Sequence, residues 1–316
     1  MTVPIKLLAC LLLLPLPAYA GAIDILKEYN LIVFDDLTTT SEVEGKTIVY
    51  GNINGTASNY GIQLPTASGP EDALILQGDN NATLNVNNGY GIAIGGSNNG
   101  TINLNGGGAQ TNSVAAYNLS QIRSDLINLS TSLQALSPNS LLTLPGSQPN
   151  PATFEVGNTV STSTSVFNID AVDFFGNNNI QQYDIDLNGQ SPSAIVINVA
   201  GQIINDSTLG NPVGNFVTDM IRQLIIWNFY EATQIDLVRE FHGSVLAPIA
   251  ALSTITPING SVVVNSFQQD GEIHLPTFDG RLPTPQITTF VSVSEPPSMA
   301  LFASLLALFL MRRRVF

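Results

Sequence analysis

From Leu31 to Gly108 short apolar runs alternate with turn residues. The runs NLIVFDDL, GKTIVYGNI, ALILQGD, ATLNVNN, YGIAIGG and GTINLNGG each hold about four to six residues of strand character, separated by Asn, Gly and Asp. Strict alternation in Thr83-Leu84-Asn85-Val86-Asn87 and in Thr101-Ile102-Asn103-Leu104-Asn105 places Leu84, Val86, Ile102 and Leu104 on one face. Short, evenly spaced strands with tight polar corners predict successive coils of a right-handed parallel β-solenoid, an all-β fold. A β-sandwich is the alternative that the pattern leaves open.

The period then changes. Ala115, Leu119, Ile122, Leu126, Leu129, Leu133 and Leu136 recur at alternating steps of four and three, one apolar stripe of an amphipathic helix. The stripe predicts a helix over about 113–137, capped by Asn112 or Ser113 and stopped before Pro138. Its other face carries Gln121, Ser124, Asp125 and Ser132, so the helix is expected to lie along the side of the β structure. A Pro/Ser-rich stretch follows over 137–151, and strands return in TFEVG, TSVFNID, YDIDLNG and AIVINVAG. NPVGNFVTDMIRQ suggests a helical turn, and strands and corners alternate again up to PTPQ near Pro283.

Composition fits this reading. Charged residues are 11% and aromatics 7%, against 26 Gly and 18 Pro. Ile, Leu and Val recur throughout, so the chain is not of the disordered class. The start, MTVPIKLLACLLLLPLPAYA, reads as a secretory signal peptide of residues 1–20: Lys6, the apolar stretch Leu7–Leu14, then Ala18-Tyr19-Ala20 as the small-x-small cleavage site. LLAC resembles a lipoprotein site, but the apolar run before Cys10 is too short for one. Cys10 is the single cysteine, so the mature chain has no disulfide, thiolate nucleophile or Cys-rich zinc site. The whole chain carries a formal charge of −14; without Lys6, Arg312–Arg314 and Glu295, ten basic residues become six and 24 acidic become 23, about −17. Such a surface disfavours nucleic acid and anionic membrane and is compatible with neutral polysaccharide, cations or basic partners.

Catalytic patterns are sparse. His242 and His274 are the only histidines and show no metal-ligand spacing. Glu272 and His274 share one strand face as a candidate dyad. Asp184 and Asp186, or Asp170 with Asp173, are candidate cation or acid–base positions; a solvated strand face accounts for them equally well. No phosphate or dinucleotide fingerprint occurs, so no cofactor is expected and an enzyme is not the first reading. Seven Asn-x-Ser/Thr triplets, at Asn54, Asn81, Asn99, Asn118, Asn128, Asn205 and Asn259, are what an Asn/Thr-rich chain generates by chance. Thr38–Thr40, Thr83 and Thr101 read as scattered, with no regular threonine ladder.

The carboxyl end has three parts: Ser-Glu-Pro-Pro-Ser, the apolar run Met299–Met311, and Arg312–Arg314. As a helix the run would span about 20 Å, short of a ~30 Å hydrocarbon core. The arginines would hold its end on the cytoplasmic side. The order resembles the PEP-CTERM sorting signal of Gram-negative bacteria, carried here by Glu295, Pro296, Pro297, Ser298, Arg312, Arg313 and Arg314, with Ser294 where that family has proline. The resemblance implies a linker over 286–294, a sorting signal over 295–316 with a short span at 299–311, transient inner-membrane retention, and removal by an exosortase after a signal peptidase has acted at the other end. The body, 21–285, resembles the choice-of-anchor A domain: YNLIVFDDLTTTSEVEGKTIVYGNI is similar to its opening. Trp227-Asn228-Phe229, Gly243–Pro248, Asn259-Gly260 and Gly271–His274 resemble its closing signature. The closing coils also resemble those of secreted ice-binding solenoids. Together these imply an exported structural or adhesive protein of the cell surface or biofilm matrix, with exopolysaccharide as partner; a polysaccharide-active enzyme and an ice-binding protein are the alternatives.

Overall fold

In a computed structural model, residues 20–146, 151–158, 160 and 163–282 are described. The signal peptide up to residue 19, the linker and the sorting signal lie outside these residues. Among them no helix is long and apolar enough to cross a membrane, and the expected span at 299–311 is not among them.

The body is a parallel β-solenoid. Among the described residues all strand pairs are parallel except Leu141–Thr143 against Ala152–Glu155, which excludes the antiparallel sandwich. Each coil turns through three faces. The first face is a ten-strand stack that includes Tyr29–Val33, Lys46–Val49, Thr164–Asp170, Ile225–Asn228 and Val262–Gln269. The second is built from Leu37–Thr39, Ile53–Gly55, Ile203–Asn205, Gln234–Leu237 and the ends of Ser244–Thr254 and Val262–Gln269. A seven-stranded sheet forms the third face, and in the early part of the second half a four-stranded sheet takes its place.

The coils do not stack in chain order. The first coil, Tyr29–Val33, lies in the middle and pairs with Lys46–Val49 on one side and with Val262–Val264 of the last coil on the other. Coils wind outward to Gln110–Thr111 at one end. The chain then returns through a helix to Thr164–Asp170 at the far end and winds back to the middle. The join is sealed by buried Asn30, which donates to the carbonyls of Gly260 (2.9 Å) and His274 (3.1 Å) and accepts from the Gly45 N–H (3.0 Å). An N-terminal helix, Ala20–Glu28, packs over the join; Ser261 Oγ donates to the Leu26 carbonyl at 2.6 Å.

The expected long helix is present and shorter at both ends, Leu119–Gln134. A separate 3-10 turn, Val114–Tyr117, precedes it, because Asn118 takes a left-handed conformation (φ 46°) that interrupts the run. Leu119, Ile122, Leu126, Leu129 and Leu133 are buried as the stripe requires, whereas Ala115 is exposed. The helix lies across the first face from the Tyr50 hydroxyl, which donates to the Leu119 carbonyl at 2.7 Å, to Asn198, which donates to the Leu133 carbonyl at 2.8 Å. It therefore spans the join and ties the two halves together.

Beneath it runs one register-matched row across nine strands: Ala93, Ile75, Ile48, Ile32, Val263, Leu246, Asn228, Asn198, Asn168. Two apolar cores follow, one inside the coils and one between the first face and the helices.

Candidate binding faces

With the first face covered, the second and third faces carry the chemistry. Strand alternation sends every other side chain outward, and in-register parallel stacking puts equivalent side chains about 4.8 Å apart from coil to coil. A repeated residue thus becomes a file.

On the second face one outward file runs Asn205, Asp236, Ser253, Gln268, Thr38, Asn54 across six strands. Ser253 Oγ donates to Asp236 Oδ1 at 2.6 Å. Asn81 Nδ2 continues the file by donating to Asn54 Oδ1, and Asn99 Nδ2 to Asn81 Oδ1, both at 2.9 Å. Three of the Asn-x-Thr triplets are therefore corners of successive coils. In two of them the middle residue is held to glycine: a Cβ on Gly55 (φ 120°) would collide with the Thr39 carbonyl and one on Gly100 with the Ala82 carbonyl. Ile203 and Ile255 lie two residues from the file along the chain, Ile249 lies in the irregular stretch between Ala247 and Ala251, and all three are strongly exposed, at 69%, 63% and 49%.

The third face changes character along its length. At one end Asn103 Nδ2 donates to Asn85 Oδ1 (2.8 Å) and Asn105 Nδ2 to Asn87 Oδ1 (3.0 Å), and Asn85 stands in register with Asn59 and then Glu42. Thr83 and Thr101 are direct register partners, so they form a short file where sequence spacing had them scattered; the file stops at Ala57. At the other end His242, Asn259 and His274 occupy one file on three adjacent strands. The two histidines, far apart in sequence, thus flank a single asparagine. Asn259 Nδ2 donates to Glu240 Oε1 (2.9 Å), His274 Nε2 meets Glu272 Oε2 at 2.6 Å, and His242 Nε2 lies 3.5 Å from Glu240 Oε1. His242 is buried and its Nδ1 has no partner. Burial pushes its pKa down, and Arg222 adds to this while Glu240 and Asp219 oppose it.

The sequence candidates divide between two sheets. Glu272 and His274 form the expected pair on the third face. Asp184 and Asp186 lie on Gln182–Asp186 of the four-stranded sheet, so the four residues do not converge. Asp184 Oδ1 accepts the backbone N–H groups of Ile185 and Asn215 (2.7 and 2.9 Å), Asp186 Oδ1 that of Asn188 (2.8 Å), and Asp170 Oδ1 that of Val172 (2.8 Å). These carboxylates hold turns. Among the described residues no group of three or more His, Cys, Asp or Glu is arranged to hold a metal ion. What the sequence reading missed is the files themselves; their signal is the 18-residue step between Asn81 and Asn99, Asn85 and Asn103, and Asn87 and Asn105.

The chain is similar to solved ice-binding proteins at low identity. The chain is 12% identical to one from the Antarctic ascomycete Antarctomyces psychrotrophicus (TM-score 0.39, covering 80% of this chain and 97% of that one). It is 14% identical to one from an Antarctic biological consortium (0.39; 87% and 96%) and 14% identical to an ice-binding protein domain from Shewanella frigidimarina (0.34; 84% and 98%). No curated protein matches the chain. A family profile described as an ice-binding-like adhesive domain matches residues 22–275, the segment that builds the whole solenoid from the N-terminal helix to the last coil, and the chain belongs to that family.

Proposed function

We propose that this is an exported, exosortase-sorted adhesive protein of the cell surface or extracellular matrix of a Gram-negative bacterium, binding exopolysaccharide through its second and third faces. The observation that carries the reading is the set of outward Asn, Ser, Thr and Gln files on two faces that the long helix leaves open. Each amide offers a donor and an acceptor at the strand spacing, and a hydroxyl-rich polymer lying across the files makes many weak contacts that add up. The exposed Ile203, Ile249 and Ile255 supply apolar surface for the flat faces of sugar rings. The adhesive description of the family supports the same reading. So does the tail: a choice-of-anchor A body followed by a PEP-CTERM signal accounts for export, brief inner-membrane retention and release. Retention of the protein on the host's own exopolysaccharide at low salt tests the binding, and no retention overturns it. The mass of the mature protein tests the sorting, since a product that keeps its last twenty residues overturns that part.

Ice binding is the second reading. The Thr83–Thr101 pair in register on a parallel sheet favours it, and a thermal hysteresis assay decides it.

A further inference from the structure

The two ends of the solenoid are built differently. At the far end the outer strand, Thr164–Asp170, is covered: Val166 N–H donates to Asn139 Oδ1 (2.8 Å) and the Val166 carbonyl accepts from the Asn139 and Ser140 N–H groups. The antiparallel strand Leu141–Thr143 then closes the four-stranded sheet. At the near end the strand Thr101–Leu104 pairs on one side only, with Thr83–Val86. Thr101 and Asn105 donate inward, to the carbonyls of Ala82 and Val86. Parallel alternation therefore turns the N–H and C=O groups of Ile102 and Leu104 outward, away from the stack. Their side chains are half-buried, whereas Leu84 and Val86 one coil inward are fully buried. The inner core is thus open at this end.

Natural proteins blunt such an edge with charge, proline or a bulge. Here none is present: from Asn80 to Ile122 the chain holds no charged residue and no proline, in a protein of formal charge −14. Two acidic copies that meet through this uncharged segment avoid like-charge contact along it.

We propose that this end is a self-association edge, where Thr101–Leu104 pairs antiparallel with the same strand of a second copy about a twofold axis. The pairing is self-complementary. Asn103 faces its own copy, Ile102 lies opposite Leu104, and each such pair exchanges both backbone hydrogen bonds. The half-buried Ile102 and Leu104 side chains of the two copies close one another's cores.

Light scattering on the purified full chain across a dilution series tests this. The expected mass is twice the 33.6 kDa chain mass, falling to the monomer in Ile102→Glu with unchanged far-ultraviolet circular dichroism. Should Ile102→Glu misfold, Asn103→Asp decides, because its exposed side chain leaves the coil intact while placing two carboxylates opposite each other. A wild-type chain monomeric at every concentration overturns the proposal. So does a dimer that persists in the folded variants, since association then runs through another part of the chain.

Discussion

The two halves of the solenoid use asparagine for opposite purposes. In the first half, Asn81, Asn85, Asn87, Asn99, Asn103 and Asn105 point outward, and each donates or accepts across a strand gap on an open face. In the second, Asn198 and Asn228 extend the row under the long helix, and Asn168 ends it, exposed. Asn228 Nδ2 donates to the Ser130 carbonyl and to Asn198 Oδ1, both at 2.9 Å, and Ser130 Oγ donates back to Asn228 Oδ1 at 2.6 Å. The same amide thus decorates a surface in one half and clasps a helix in the other. The interiors differ too. The coil that repeats at 18 residues from Thr83 to Thr101 encloses Leu, Ile and Val; those that repeat at 30 from Thr164 through Ala194 enclose Phe154, Phe167, Phe174, Phe175, Phe216 and Trp227. A longer coil encloses a wider space, and rings fill it.

The interior contrast carries the largest expected effect. Phe154 meets Phe167, Phe174, Phe216 and Trp227 at ring separations of 5.2 to 5.7 Å. Phe154→Ala is expected to lose ~3–5 kcal/mol in urea unfolding. Leu84→Ala, one coil from the open end, should fall near the low end of the ~2–5 kcal/mol range for such changes, because neighbours there can relax into the gap. Equal losses would remove the distinction between a fixed aromatic plug and an adaptable aliphatic end.

The buried clasp comes next. Asn228→Leu continues the aliphatic row of Leu246 by one strand but strands the Ser130 hydroxyl and Asn198 Oδ1 without partners. A loss of about 1–3 kcal/mol is expected, with faster amide exchange concentrated in Leu119–Gln134. A neutral or stabilising result would mean that helix and coil meet through apolar packing alone.

Much of this was legible beforehand. Strand alternation gave the coils, and the four-three stripe gave the helix to within a few residues, because both periods are local. The order of coils was not legible. Nothing within Tyr29–Val33 says that its second neighbour is Val262–Val264, since any aliphatic parallel strand presents the same edge. Asn168, Asn198 and Asn228 did leave a trace, an Asn after two apolar residues every 30 positions, but a single Asn on a strand looks like a solvated one until a helix is known to cover it. The N-terminal helix Ala20–Glu28 was hidden behind the signal peptide's own apolar pattern. Of the candidate site, strand alternation put Glu272 and His274 on one face, where they meet at 2.6 Å; His242 joined them only through stacking of non-adjacent segments.

That histidine file gives a smaller effect with a definite sign. His242 in the fold titrates below its ordinary value of 6.5 because it is buried. The unfolded chain therefore binds the extra proton first, and stability present above pH 6.5 is lost as pH falls from there through the folded value. The melting temperature should drop over that window, and His242→Gln should flatten the drop. A profile that is unchanged in the variant would place the acid sensitivity elsewhere, for instance in the carboxylates.

The smallest stability effect is expected where the binding effect should be clearest. Asn99 ends the outward file of the second face, exposed, with one bond to Asn81. Water replaces that bond when it is lost, so Asn99→Ala should change stability by no more than about 0.5 kcal/mol. The amide is also one rung in a row that a polymer would lie across, and a missing rung costs every chain that spans it. Adding Asn81→Ala removes two adjacent rungs and should weaken retention on exopolysaccharide more than either change alone, with melting temperature nearly constant. The buried counterpart should behave the other way, Asn228→Leu lowering stability while sparing retention at temperatures where the fold persists. If both substitutions moved stability and retention together, the open files would be serving the fold in the way the clasp does, and the binding role would have to pass to Ile203, Ile249 and Ile255.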